Sequence, residues 1–214
     1  MPSIRAFAFT PSRGRLTVGL LVVTALLLAT GCKKSDTKST APAPVAPPAA
    51  PSFAVIETDK GIIEFELLSA DAPKTTENFR ILAGRGYYNG LIFHRIIKDF
   101  MIQGGDPLGD GRGGESAWGG KFADEIVKDS PLYQNGLGYK RGMVAMANAG
   151  KDTNGSQFFI LHKDYPLPPS YTIFGRVTKG IEVVDALAAV PTTYGMGGMS
   201  KPMTPPVMKK VTIR

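Results

Sequence analysis

The stretch Leu91-Ile92-Phe93-His94-Arg95-Ile96-Ile97-Lys98-Asp99-Phe100-Met101-Ile102-Gln103-Gly104-Gly105-Asp106 decides the fold. Leu91–Ile97 is apolar and β-branched around a His-Arg pair, and Asp99–Gln103 repeats the character after Lys98. Two short strands are predicted. Side chains alternate along a strand, so Phe93 and Arg95 are expected on one face with His94 on the other. Met101 and Gln103 likewise share a face. From Gly104 to Gly120 the chain is glycine-rich without a repeat.

Working outward, similar short strands recur. Phe53–Thr58 and Ile62–Leu68 flank Asp59-Lys60-Gly61, the pattern of a hairpin. Gly142–Ala147, Ser156–Leu161, Thr172–Val177 and Val207–Ile213 are further β segments. Only two helices are predicted. One opens at Pro73, a residue suited to a first helical turn, and stops near Gly84 and Gly86. The other covers Ile181–Ala189. Many short strands and two helices argue for a closed β-barrel or a sandwich rather than a βαβ succession.

The 214 residues hold 25 Lys plus Arg, 18 Asp plus Glu, two His and one Cys. One cysteine excludes an internal disulfide and any multi-cysteine zinc site, and two histidines leave little for a His-based metal site. The net charge of +7 is unevenly placed: +3 falls in residues 1–31, +2 in 32–52, and only +2 in 53–214. A nearly neutral globular region argues against a nucleic-acid binder, which is expected to carry a basic face.

Several familiar sites are absent. Gly109-Asp110-Gly111-Arg112-Gly113-Gly114 lacks the Gly-Lys-Ser/Thr that completes a phosphate cradle. No Ser lies in a G-x-S-x-G elbow, and neither His94 nor His162 stands in a triad order. His94 reads as structural. What remains is a set of strands that each set a polar residue beside an apolar one: Phe93 with Arg95, Met101 with Gln103, Gln157 with Phe159. Such strands suit a groove for an apolar ring and its neighbouring amide. On pattern alone they suit better a salt-bridged arginine, solvated glutamines and core aromatics.

Longer motifs separate these readings. The segment Phe93–Asp106 resembles the signature of cyclophilin-type peptidyl-prolyl cis–trans isomerases. So does Met146-Ala147-Asn148-Ala149-Gly150, followed by Thr153-Asn154-Gly155-Ser156-Gln157-Phe158-Phe159-Ile160. Lys121–Glu125 and Phe174–Val177 match in order, and the resemblance covers about Val55 to Ile213. It implies a mainly β fold, a closed eight-stranded antiparallel barrel capped by two helices. It implies Arg95 as the catalytic residue, with Phe100, Met101 and Phe159 receiving the proline ring. Gln103, Ala147, Asn148 and Gln157 would hold the substrate backbone, with Leu167 and Tyr171 as further pocket residues. The family pattern has Trp where Pro166 stands and His where Tyr171 stands, so strong cyclosporin binding, which leans on that Trp, is not expected. No cofactor and no metal are implied. The expected activity is rotation about X–Pro bonds in a monomer that binds Pro-containing unfolded or extended polypeptides. The alternative is a non-catalytic chaperone module that holds Pro-containing segments in the same groove.

The N-terminal part carries an address. Three arginines, at positions 5, 13 and 15, precede the uncharged run Leu16–Thr30. That run is shorter than the about 20 residues that span a bilayer, and residues 1–31 fit a secretory signal. Leu28-Ala29-Thr30-Gly31-Cys32 resembles the lipobox of bacterial lipoproteins, with Leu one place earlier than usual. Cys32 is then the lipid attachment point. Residues 32–52, Lys/Ser-rich and then Ala/Pro-rich, form an extended linker. Residues 53–214 are the isomerase domain. The whole is expected to be exported and held at the cell envelope by its lipid.

Overall fold

A computed structural model describes residues 52–133, 138–194 and 200–214. The signal segment, Cys32 and nearly all of the linker lie outside the described residues. Eight strands form one sheet: β1 (Ser52–Thr58), β2 (Ile62–Leu67), β3 (Arg95–Ile97), β4 (Met101–Gly104), β5 (Met143–Met146), β6 (Phe158–Leu161), β7 (Ile173–Lys179) and β10 (Met208–Ile213). Their order is β10-β1-β2-β7-β5-β6-β4-β3, and every pairing is antiparallel. The helices are α1 (Pro73–Gly84) and α2 (Ile181–Ala188). A separate ribbon, β8 (Thr192–Tyr194) with β9 (Ser200–Pro202), was not foreshadowed by the sequence.

The expected closed barrel is corrected in one respect. The sheet is an open half-barrel whose edge strands, β3 and β10, are not paired with each other. The segment just before β3 meets the entry to β10 through the bridge Ile92–Val207 and through backbone bonds from Gly90 N–H to Met208 C=O at 2.7 Å, Met208 N–H to Leu91 C=O at 2.8 Å and Phe93 N–H to Pro206 C=O at 2.9 Å. The predicted strand Leu91–Ile97 is cut to Arg95–Ile97 because Phe93 and His94 leave the regular pleat. This also overturns the expected shared face of Phe93 and Arg95. Phe93 joins the main core with Ile96 and Ile102, whereas Arg95 faces the groove.

Strand alternation divides the apolar residues between two layers. Ile102, Val144, Met146, Phe158 and Ile160 point into the main core beneath the helices. Met101, Ala145, Phe159 and Leu161 belong to a second cluster on the opposite face. Phe79 of α1 centres the main core, 5.4 Å from Phe65, 4.8 Å from Tyr88 and 5.5 Å from Phe158 between ring centroids. Rings at these spacings contribute beyond their buried area.

The first turn of α1 carries no capping side chain of its own. Its free amides are met from a distance. Lys74 and Thr75 N–H donate to the two carboxylate oxygens of Glu125 at 2.9 and 2.7 Å, and the Thr75 hydroxyl donates to the same group at 2.7 Å. An anion at this end also suits the helix dipole. Asn78, fully buried on α1, accepts from Ala117 N–H and donates to Gly155 C=O. The helix thereby fixes two loops that lead towards the second layer.

Candidate active site

Arg95 and Gln103 are register partners on β3 and β4, and Gln103 is the register partner of Phe159 on β6. Alternation puts all three side chains on the sheet face away from the main core. There they border a cavity of about 470 Å³. Its floor is Met101, buried in β4, and its walls are Phe100, Phe159, Leu167 and Tyr171. Ala147 and Asn148, just beyond β5, form the rim. Every predicted groove residue except Gln157 lines this cavity. Gln157 borders the adjoining one, of about 360 Å³, which shares Gln103, Gly111, Ala147 and Asn148.

The polar residues are held in a chain. Arg95 Nη1–H donates to Gln103 Oε1 at 3.1 Å, and Gln103 Nε2–H donates to Gln157 Oε1 at 2.9 Å. Gln157 Nε2 donates to the carbonyls of Gly111 and Gly113 at 3.1 and 2.8 Å. Each amide therefore has its donor and acceptor ends assigned by its partner. The glycine-rich loop that fails as a phosphate cradle supplies these carbonyls. It is shaped by Asp106, whose carboxylate accepts from Leu108, Asp110 and Gly111 N–H at 2.9, 3.0 and 2.6 Å. Gly105 precedes it with φ +84°, and a Cβ there would lie 2.5 Å from Ser156 C=O, so only glycine fits.

Burial lowers the pKa of the Arg95 guanidinium from its ordinary value, and Tyr171 nearby opposes this. Arginine starts so high that it stays charged at neutral pH. Burial of Asp106 pushes its pKa up. The three backbone N–H groups, with His94 behind them, outweigh that and hold it below the usual carboxylate range. His94 is buried, and neither ring nitrogen has a hydrogen-bond partner among the described residues. Burial lowers its pKa, with Asp106 opposing the shift. That accords with a structural role.

The apolar wall is aromatic where the family's Trp was expected to be missing. Pro166 does stand in that place, but Tyr165 beside it packs on Phe100 at 4.2 Å between centroids. Phe159 meets Tyr171 edge-on at 5.6 Å. Tyr171 is fixed from behind by Tyr139, whose hydroxyl donates to Tyr171 C=O at 2.9 Å and accepts from its N–H at 3.2 Å. Burial pushes the Tyr139 phenol up to about 12. Asn148 Nδ2 donates to Ser170 C=O at 2.8 Å, closing the rim. Tyr165 and Gly111 were not singled out in the sequence. An aromatic beside Leu167 in a proline-rich loop was the available signal for Tyr165; the Gly111 contact depends on the loop's three-dimensional path.

Among the described residues no group of three His, Cys, Asp or Glu side chains is placed to hold a metal ion. The cavity combines a fixed cation, amide donors and acceptors and a ring-sized aromatic recess, as a site for binding and turning a peptide would. The model of the cyclophilin type peptidyl-prolyl cis–trans isomerase/CLD family matches residues 53–213. This chain belongs to that family, and it is an enzyme of the peptidyl-prolyl cis–trans isomerase class. It is 54% identical over 143 residues to the human peptidyl-prolyl cis-trans isomerase-like 1, covering 66% of this chain and 82% of that protein. It is 48% identical over 159 residues to the isomerase CYP18-1 of Arabidopsis thaliana, covering 74% and 93%. Among solved structures, a Cryptosporidium parvum cyclophilin type isomerase superposes with a TM-score of 0.69 at 38% identity, over 77% of this chain and 98% of that one. The structure determined in the presence of the dipeptide Ala-Pro gives 0.67 at 39% identity, over 76% and 98%.

Proposed function

We propose that Arg95 carries the isomerisation by donating to the proline nitrogen as the X–Pro amide twists. Amide resonance sets a barrier of roughly 18–20 kcal/mol, while the cis and trans forms of X–Pro differ by only about 0.5–1 kcal/mol. The need is for speed, with hardly any shift in equilibrium. At the twisted geometry the nitrogen loses conjugation and regains a lone pair. A cation placed there stabilises the transition state and not the planar ground state. No nucleophile, proton transfer or metal enters the step.

The observation that carries this reading is the posture of Arg95. One N–H of its fork is committed to Gln103. Its other donors have no protein partner among the described residues and border the cavity. Phe100, Met101 and Phe159 would clamp the ring, while Gln103 and the Asn148 backbone hold the adjoining peptide so that the other side turns. The Ala-Pro dipeptide used with the Cryptosporidium relative supports a Pro-containing peptide as the occupant. Replacing Arg95 by Ala should leave the fold intact and lower turnover on an Ala-Pro peptide in a protease-coupled assay. A wild-type rate would remove Arg95 from this role and favour a holding function.

The cellular setting we infer rests on residues 1–52. The chain is exported, cleaved before Cys32 and acylated there, with the Ala/Pro-rich segment as a spacer between an envelope membrane and the enzyme. This would be an outer membrane or the outward face of a plasma membrane. Its clients are exported or envelope proteins during folding. Each buried methylene of an acyl chain contributes about 0.8 kcal/mol, so several chains suffice to hold a domain of this size. Mass spectrometry of the mature N-terminus tests the address: an unmodified terminus, or one other than Cys32, would refute it.

A further inference from the structure

We infer that His162 is a positioning residue for the proline pocket, tying the turn that carries Phe100 to helix α2; this rests on the assignment of Phe100 to that pocket under Proposed function. The turn between β3 and β4 is Lys98-Asp99-Phe100. Asp99 sits in the left-handed region at φ +62°, a strained place for a residue other than glycine. Phe100 N–H closes the turn on Ile97 C=O. The remaining backbone bonds of the turn among the described residues both go to His162. Asp99 N–H donates to His162 Nδ1 at 3.0 Å, and His162 N–H donates to Phe100 C=O at 2.8 Å.

The ring that receives Asp99 is itself oriented. Because Nδ1 accepts, Nε2 bears the proton, and it lies 3.2 Å from Asp185 Oδ1 on α2. Both oxygens of Asp185, Oδ1 included, also accept from Arg141 Nη2, at 2.9 and 2.7 Å. His162 is buried, which partly shields the bond it accepts from Asp99, while the Arg141–Asp185 pair is exposed. Lys163, which approaches Asp99 at 3.9 Å between two exposed side chains, adds little by comparison. His162 does not line the cavity, yet it sets the backbone from which Phe100 projects against Tyr165 and Phe159. Nothing in the isomerisation step itself uses this histidine.

The two nitrogens can be tested apart, since Asn places a polar atom near Nδ1 and Gln near Nε2. In the full chain, His162→Ala is expected to raise KM for an Ala-Pro peptide about fivefold, the scale of one lost hydrogen bond, with kcat nearly unchanged. His162→Asn should restore KM and His162→Gln should not. Amide exchange at Asp99 should quicken in the Ala and Gln variants and stay slow in Asn. A purely structural role would lower the folded fraction, and so apparent kcat at constant KM. That result, an unchanged KM in His162→Ala, or equal rescue by Gln and Asn would overturn the inference. If the Ala variant does not fold, the Asn–Gln comparison decides. Wild-type turnover in Arg95→Ala would instead count against the proposed mechanism, while Asp99 exchange still reports on the tie.

Discussion

Arg95 and Gln103 face each other across the β3–β4 pair, and the guanidinium donates to the amide oxygen at 3.1 Å. The bond orients a side chain that would otherwise sweep many rotamers, so little ordering remains when substrate arrives. A planar fork can satisfy Gln103 and a twisting amide together, whereas an ammonium is a point charge on a flexible stem.

Arg95→Ala is therefore expected to lower kcat/KM by on the order of 10²–10³, the scale of a lost transition-state donor. Arg95→Lys should recover only part of this despite keeping the charge. The protease-coupled assay on an Ala-Pro peptide measures both, with circular dichroism checking the fold. Full activity in the Lys variant would show that charge alone suffices.

Gln157 tests the remainder of the chain. It donates to Gly111 and Gly113 and accepts from Gln103, so Gln157→Leu would free the Gln103 amide and through it loosen Arg95. The expected loss in kcat/KM is about tenfold, near the net worth of one or two hydrogen bonds. Combined with Arg95→Ala, the two losses should fall short of additive because they act on one network. Strict additivity in the double-mutant cycle would uncouple Gln157 from Arg95.

The sequence exposed most of this site because the chemistry is local to strands. Met101 with Gln103, and Gln157 with Phe159, sit two residues apart, and a pleat carries such pairs to one face whatever the surroundings. The same rule failed at Phe93 and Arg95, since Phe93 and His94 depart from the pleat and alternation lapses with it. Sheet closure was illegible for a related reason: it depends on how far β3 extends, and the contact with the far edge falls at residues 90–93, before β3 begins. Glu125 lies about 50 residues from the helix end it caps, a separation that no local capping pattern reaches.

Acid should destabilise the fold in two separate windows. The His94 pKa is depressed in the folded state, so below about 6.5 the unfolded chain takes up a proton that the folded chain refuses, and stability falls with pH. The Asp106 pKa is also depressed, and its contribution is present above about 3.9 and lost as pH falls through the folded value. His94→Leu should abolish the upper window and leave the lower. It should cost little near neutral pH, because the ring it removes has no hydrogen-bond partner among the described residues. Urea denaturation at a series of pH values measures this, and an unaltered slope below pH 6.5 in the variant would place the upper window elsewhere.

Tyr165 is expected to matter for binding more than for turnover. Its ring packs on Phe100 at 4.2 Å and borders the cavity, yet it stands far enough into the loop to be partly exposed. A contact made equally in ground and transition states changes KM and spares kcat. Tyr165→Ala should raise KM by several fold, the range of one aromatic contact, and Tyr165→Phe should behave as wild type. A fall in kcat at constant KM would show that the ring acts on the twisting amide itself.

Glu125 offers a test of the fold that leaves the groove untouched. Its carboxylate accepts two backbone N–H groups and one hydroxyl at the start of α1, and its own N–H donates to Thr172 Oγ1 at 2.9 Å. Removing the carboxylate strands amides that nothing else in the first turn can meet. Bonds to a charged acceptor contribute about 1.5–3 kcal/mol, and the helix dipole adds up to about 1 kcal/mol. Glu125→Ala is thus expected to cost about 2–3 kcal/mol and to lower Tm by roughly 5–10 °C for a domain of this size. Below the transition, activity should stay at the wild-type level, because Glu125 does not border the cavity. Differential scanning calorimetry beside the isomerase assay separates the two effects; an unchanged Tm would mean that water caps the helix as well as Glu125 does.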